Sequence, residues 1–167
     1  GADTLTVTGS SSASKSVITG SIATGAGADT VTLTDATIGG AGQTLSLGSD
    51  SSSLDGDDKL TASGTAITAT VTTGSGSDTV TLNAASVVTG DVTLGSATDT
   101  TNGSTDTLTL NASTITGNVS TGSGTDAVSV LTTSTITGNV TLGTDVSQDG
   151  ADTLTVTGSS SASKSVI

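Results

Sequence analysis

Aliphatic and hydroxyl-bearing residues alternate along this chain in short bursts that share one template. The motif Asp-Thr-Φ-Thr-Φ, with Φ an aliphatic residue, begins at Asp3, Asp29, Asp78, Asp106 and Asp152, with looser forms at Asp58 (DKLTA) and Asp126 (DAVSV). A period of two sends successive side chains to opposite faces, so each motif predicts a strand with aliphatics inward and Thr or Ser outward. The turn that opens at Asp106, DTLTLNASTITGNVSTGSGT, shows how the chain continues past that strand. A second short strand is expected around Ile115 and a third around Val119, set apart by Asn111-Ala112-Ser113 and by Gly117. Gly122-Ser123-Gly124-Thr125 then turns the chain into the next Asp.

Three short legs joined by Gly- and Asn-bearing corners make one coil of a parallel β-helix, an all-β solenoid. The motifs are spaced by 26, 29, 20, 28, 20 and 26 residues, so six coils start near residues 3, 29, 58, 78, 106 and 126. A larger repeat encloses them. Residues 1–18, GADTLTVTGSSSASKSVI, recur without change as residues 150–167, an offset of 149. The expected organisation is therefore one full solenoid repeat over 1–149 and the start of an identical repeat over 150–167. Neither end resembles a cap, and an uncapped solenoid exposes backbone and apolar edges that favour end-to-end stacking on identical repeats. A β-sandwich is the competing fold, but it does not require successive segments to share one template.

Composition narrows the chemistry. The chain has no Cys, Met, His, Pro, Phe, Tyr or Trp, so no imidazole or thiol can serve as base, nucleophile or soft metal ligand, and an enzyme is not expected. Lys15, Lys59 and Lys164 each lie in Ser/Thr-rich sequence without a pocket signature. A slim solenoid core explains the 0% aromatic content. All acidic residues are Asp, and the net charge of -12 argues against nucleic acid, which demands clustered Lys and Arg. No apolar run approaches the length that spans a bilayer, so membrane insertion is not expected.

The acidic residues concentrate at one corner. Three long connections, GSDSSSLDGDD (48–58), GSATDTTNGSTD (95–106) and GTDVSQDGAD (143–152), each carry an Asp, an Asp/Asn-Gly step and the strand-opening Asp. The candidate ligands there are Asp50, Asp55, Asp57 and Asp58, then Asp99, Asn102 and Asp106, then Asp145, Asp149 and Asp152. Calcium takes oxygen from carboxylates, amides and backbone carbonyls, which these turns supply. The strand-opening carboxylates admit two readings, as calcium ligands or as acceptors for turn N–H groups that need no metal.

Shorter corners read G-x-G-x-D: Gly25-Ala26-Gly27-Ala28-Asp29, Gly74-Ser75-Gly76-Ser77-Asp78 and Gly122-Ser123-Gly124-Thr125-Asp126. GAGADTVTL and GSGSDTVTL resemble the latter part of the RTX nonapeptide, G-G-x-G-x-D-x-U-x, of calcium-binding secreted bacterial proteins. That resemblance implies Ca²⁺ held between turns at Asp29, Asp78 and Asp126. The first of the paired glycines is absent, and the turns recur at 20 residues or more. Across its length the Thr/Ser/Gly/Asp-rich tandem sequence also resembles giant bacterial adhesins and surface-layer or fibre proteins.

These features point to a structural repeat of a secreted cell-surface fibre or adhesin stalk, calcium-stabilised, whose partner is itself. An alternative is an ice- or crystal-binding solenoid using outward Thr-x-Thr rows such as Thr4/Thr6, Thr30/Thr32, Thr79/Thr81 and Thr107/Thr109. N-glycosylation sequons begin at Asn102, Asn111, Asn118 and Asn139.

Overall fold

A computed structural model describes residues 1–49, 55–95, 104–143 and 149–158. Every coil lays down three strands. The first holds β1 (Thr4–Thr8), β2 (Ser16–Ile18) and β3 (Ile22–Ala23), and the second holds β4 (Thr30–Thr34), β5 (Ala36–Ile38) and β6 (Thr44–Ser46). The third has β7 (Lys59–Ser63), β8 (Ala66–Ile67) and β9 (Thr70–Thr72), and the fourth β10 (Thr79–Asn83), β11 (Val87–Val88) and β12 (Val92–Thr93). The fifth has β13 (Thr107–Asn111), β14 (Thr114–Ile115) and β15 (Val119–Ser120), and the sixth β16 (Ala127–Leu131), β17 (Thr135–Ile136) and β18 (Val140–Thr141). β19 (Thr153–Thr157) opens a seventh turn.

Strands of one kind pair across coils into three sheets. The first strands form a seven-stranded sheet in the order β1-β4-β7-β10-β13-β16-β19. The second strands form a six-stranded sheet running from β2 to β17, and the third another running from β3 to β18. All these pairings are parallel, which establishes the parallel β-helix and excludes the antiparallel sandwich. Among the described residues there is no helix, and so none that could cross a membrane.

Register comes from the alternation, because a slip of one residue would turn every aliphatic outward. Val80 pairs with Leu108 and Leu82 with Leu110, while Thr79 meets Thr107 and Thr81 meets Thr109 on the outer face. The inward residues stack into columns that run the length of the solenoid. Ile38, Ile67, Val88, Ile115 and Ile136 line the second sheet, and Leu45, Val71, Val92 and Val119 the third, all buried. Each buried Leu, Ile or Val contributes about 1.5–3 kcal/mol relative to exposure. The core needs no aromatic residue because three sheets leave room for only one or two aliphatic side chains per leg.

The 28- and 26-residue coils at Asp78 and Asp126 carry one more residue at the corner after the first strand than the 20-residue coils. Ala84 and Ala85 absorb it with φ of 51° and 61°, whereas Ala112 alone turns the corresponding corner at 51°. Gly64 occupies that left-handed position at 60° without the steric cost that a Cβ brings.

A further column shows a two-coil rhythm. Register places Thr24, Leu47, Thr73, Leu94, Thr121 and Leu142 in line after the third strands, so Thr and Leu alternate coil by coil. Gly90, Gly117 and Gly138 form a column at the preceding corner, where a Cβ on Gly117 would strike the carbonyl oxygen of Gly90 and one on Gly138 that of Gly117.

Candidate functional site

The corner leading into each first strand carries a continuous ladder of aspartates. The N–H of Asp3 donates to Oδ1 of Asp29 at 2.6 Å, that of Asp29 to Asp58 at 2.7 Å, and that of Asp58 to Asp78 at 2.8 Å. The N–H of Asp78 donates to Oδ1 of Asp106 at 2.7 Å, that of Asp106 to Asp126 at 2.9 Å, and that of Asp126 to Asp152 at 2.9 Å. Each side chain thus caps the backbone of the coil before it. The strand-opening position demands this, since its amide lies at a turn where the sheet ladder has not begun.

A carboxylate has two oxygens, and the ladder uses one. The Oδ2 atoms of Asp29, Asp58, Asp78 and Asp126 are buried without a hydrogen-bond partner. Burying a charged oxygen without compensation is costly, and the group responds by favouring its neutral form. Burial accordingly pushes the Asp58 carboxyl up from 3.8 to about 7; the Asp29 amide opposes this, while the charges of Asp78, Asp55 and Asp29 add to it. Burial likewise raises Asp78, against the Thr73 hydroxyl and the Asp58 amide, and raises Asp126, against the Asp106 amide and the Thr121 hydroxyl. Thr73 and Thr121 sit close enough to favour the charged forms but not in hydrogen-bonding geometry, so their buried Oγ1 atoms have no partner.

The long connections bring further carboxylates to the same corner. Asp55 fastens three stretches of backbone: its Oδ1 accepts from the Gly27 N–H at 3.3 Å, and its Oδ2 from Ser49 at 2.6 Å and Ser75 at 3.1 Å. Asp57, on the exposed side, accepts from the Ser77 N–H at 2.9 Å. The Asp149 carboxylate lies against Gly143. Asp50, Asp99, Asn102 and Asp145 fall outside the described residues.

Among the described residues, no three acidic side chains converge as a metal-binding group. One smaller set of oxygens does converge. Around the position that a Cβ on Gly48 would fill lie the Thr73 carbonyl oxygen and the Oδ2 atoms of Asp55 and Asp58, the last at 2.8 Å. These are hard oxygen donors, and Asp58 Oδ2 is one of the orphaned atoms. The donor chemistry fits calcium, but the three oxygens fall short of the six to eight that calcium takes.

The second corner solves the same backbone problem with neutral groups. The Ala36 N–H donates to Thr65 Oγ1 at 3.3 Å, that of Thr65 to Ser86 Oγ at 3.2 Å, and that of Ser113 to Ser134 Oγ at 3.1 Å. All four hydroxyl residues are buried. Sequence reasoning missed this ladder, although its signal is present: each hydroxyl residue stands seven or eight positions after a strand-opening Asp. The third corner carries an exposed amide ladder, in which the Asn118 N–H donates to Asp91 Oδ1 at 2.7 Å and the Asn139 N–H to Asn118 Oδ1 at 3.0 Å. The sequon asparagines Asn111, Asn118 and Asn139 are all exposed.

The outer face of the seven-stranded sheet aligns Thr6, Thr32, Thr61, Thr81, Thr109, Ser129 and Thr155 in one row. Lys59 and Ala127 interrupt the neighbouring row of Thr4, Thr30, Thr79, Thr107 and Thr153. No protein family, no curated protein and no solved structure matches this chain.

Proposed function

We propose that the chain is a structural repeat of a secreted cell-surface fibre or adhesin stalk, stiffened by calcium at the acidic corner and extended end to end with identical repeats. The observation that carries this reading is the unbroken run of three parallel sheets over six coils, followed by a strand with the sequence of the first. Such a body transmits load along its axis through backbone hydrogen bonds. The stacked carboxylates repel one another at close spacing, and a divalent cation near Asp55, Asp58 and the Thr73 carbonyl would offset that repulsion. An extracellular setting supplies calcium and suits a chain that holds its fold without disulfides.

Two experiments test the reading. Electron microscopy of the purified chain should show rods that lengthen with concentration; featureless round particles would overturn it. Calcium should raise the melting temperature and EDTA lower it, and identical melts would remove the cation from the account.

The row from Thr6 to Thr155 favours ice or crystal binding as a second reading, since it offers a regularly spaced array of hydroxyl and methyl groups. Thermal hysteresis in the purified chain would establish that activity, and freezing indistinguishable from buffer would dismiss it.

A further inference from the structure

We propose that the third and fifth coils each enclose a calcium ion at the first corner, between two successive rungs of the aspartate ladder, with a threonine of the Thr/Leu column as its deciding ligand. One site takes Asp58, Thr73 and Asp78; the other takes Asp106, Thr121 and Asp126. This rests on the calcium reading above and deepens it, naming the side chains that hold the ion and the coils that take it.

The column gives the first reason. Leu47 and Leu94 are fully buried in it, and Thr73 and Thr121 hold the same position in the intervening coils, also at 0% exposure. Packing alone gives no reason to exchange Leu for Thr every second coil. Thr24 shows what a hydroxyl in this column does when the chain itself serves it, donating to the Leu47 carbonyl at 2.6 Å. The buried Thr73 and Thr121 hydroxyls have no such partner. A buried hydroxyl left unpaired is costly, so each calls for a ligand outside the chain.

The oxygens around Thr73 say what that ligand is. Asp58 Oδ2 and Asp78 Oδ2 are buried and unpartnered, and the Thr73 hydroxyl lies beside the Asp78 carboxyl. Asp58 and Asp78 are joined, since the Asp58 N–H donates to Asp78 Oδ1 at 2.8 Å. The Thr73 carbonyl oxygen, Asp58 Oδ2 and Asp55 Oδ2 all fall within 2.8 Å of one point beside Gly48. Asp55 Oδ2 already accepts the Ser49 and Ser75 N–H groups, so it adds charge rather than a bond. Carboxylates and a carbonyl can only accept, and what such a set lacks is positive charge. Lys59 follows Asp58 but stands exposed on the outer face. Two carboxylate oxygens, a carbonyl and a hydroxyl are the hard donors that calcium takes, with water completing its shell.

The fifth coil repeats the arrangement. Asp106 Oδ2 and the Thr121 carbonyl oxygen converge beside Gly95 as their counterparts do beside Gly48. The Asp106 N–H donates to Asp126 Oδ1 at 2.9 Å, and Thr121 Oγ1, Ser123 Oγ and Asp126 Oδ2 are buried without a partner. In the second, fourth and sixth coils, Leu47, Leu94 and Leu142 bring no side-chain oxygen to that place.

Thr73→Val with Thr121→Val removes both hydroxyls and keeps the side-chain shape. The full chain, stripped with EDTA, is melted with and without calcium chloride and titrated with it by calorimetry. In EDTA the Val variant should melt at or above the parent, because two orphaned hydroxyls are gone. It should bind calcium at least about 10-fold more weakly, and calcium should raise its melting temperature far less than the parent's. Thr73→Ser with Thr121→Ser restores the hydroxyls and should restore the calcium response, whatever the lost methyl groups cost in EDTA. A Val variant that responds to calcium as fully as the parent overturns the inference and puts the ion elsewhere along the corner, so the calcium reading survives. A Val variant that melts well below the parent in EDTA, or a Ser variant that does not respond, overturns it too. A parent without a calcium response overturns both.

Discussion

Two corners of this solenoid meet the same requirement with different chemistry. At each, a backbone amide reaches a turn without a sheet partner, and a side-chain oxygen from the following coil accepts its hydrogen. The second corner uses Thr65, Ser86 and Ser134, whose single oxygen is matched to a single amide. The first uses carboxylates, and Asp29, Asp58, Asp78 and Asp126 are left with a second buried oxygen that accepts nothing. None of the three hydroxyls at the second corner is left buried without a partner. The acidic ladder leaves those second oxygens over, and burial raises the carboxyls of Asp58, Asp78 and Asp126, so the first corner is expected to respond to pH and the second is not.

The largest separation between the two should come from removing the acceptor. Asp78→Ala strips the Asp58 amide of its partner, and a buried unsatisfied donor costs about 1–3 kcal/mol, read as a lower urea midpoint. Asp78→Asn keeps the acceptor and loses the charge, so above pH 7 it should match or exceed the parent. An Asn variant as unstable as the Ala variant would show that the carboxylate itself is required.

At the neutral corner, Ser86→Ala orphans the Thr65 amide and should cost about 1 kcal/mol. That loss should be the same at pH 5 and pH 8. A strongly pH-dependent loss would break the contrast between the ladders.

A smaller effect concerns the backbone. Ala112 holds φ of 51° where the equivalent Gly64 holds 60°. Ala112→Gly relieves the Cβ strain but loosens the unfolded chain, for a net gain of about 0.5–1 kcal/mol in chemical denaturation. Loss of stability would show that the corner is not strained by its side chain.

Much of this was legible in the sequence. The Asp-Thr-Φ-Thr-Φ motif fixed the inward and outward faces, because alternation in a strand admits one assignment once aliphatics must be buried. Its spacing marked out the coils, and Ala112-Ser113 and Gly117 stood at true corners, with Asn111 closing the strand before the first of them. The neutral ladder escaped because Ser86, Ser113 and Ser134 sit among many other Ser and Thr, and only pairing across coils shows which hydroxyls face inward. The acidic corner was legible in position but left open in role. The spacing that would serve a cation also serves an amide of the neighbouring coil, and both needs put Asp at the strand opening. In the structure Oδ1 meets the backbone need, and Oδ2 of Asp29, Asp58, Asp78 and Asp126 is buried without a partner.

The direct test of this division is the melting temperature against pH in EDTA, for the parent and for a variant carrying Asp58→Asn, Asp78→Asn and Asp126→Asn. A carboxyl raised on folding holds its proton in the folded chain where the unfolded chain has released it. For Asp58 the stability this provides is fully present below 3.8 and is lost as pH rises through about 7. Asp78 and Asp126 shift in the same direction. The parent should therefore melt progressively lower as pH rises from 5 to 8, while the variant changes far less. A parent whose melting temperature is level or rises over that range would contradict the account.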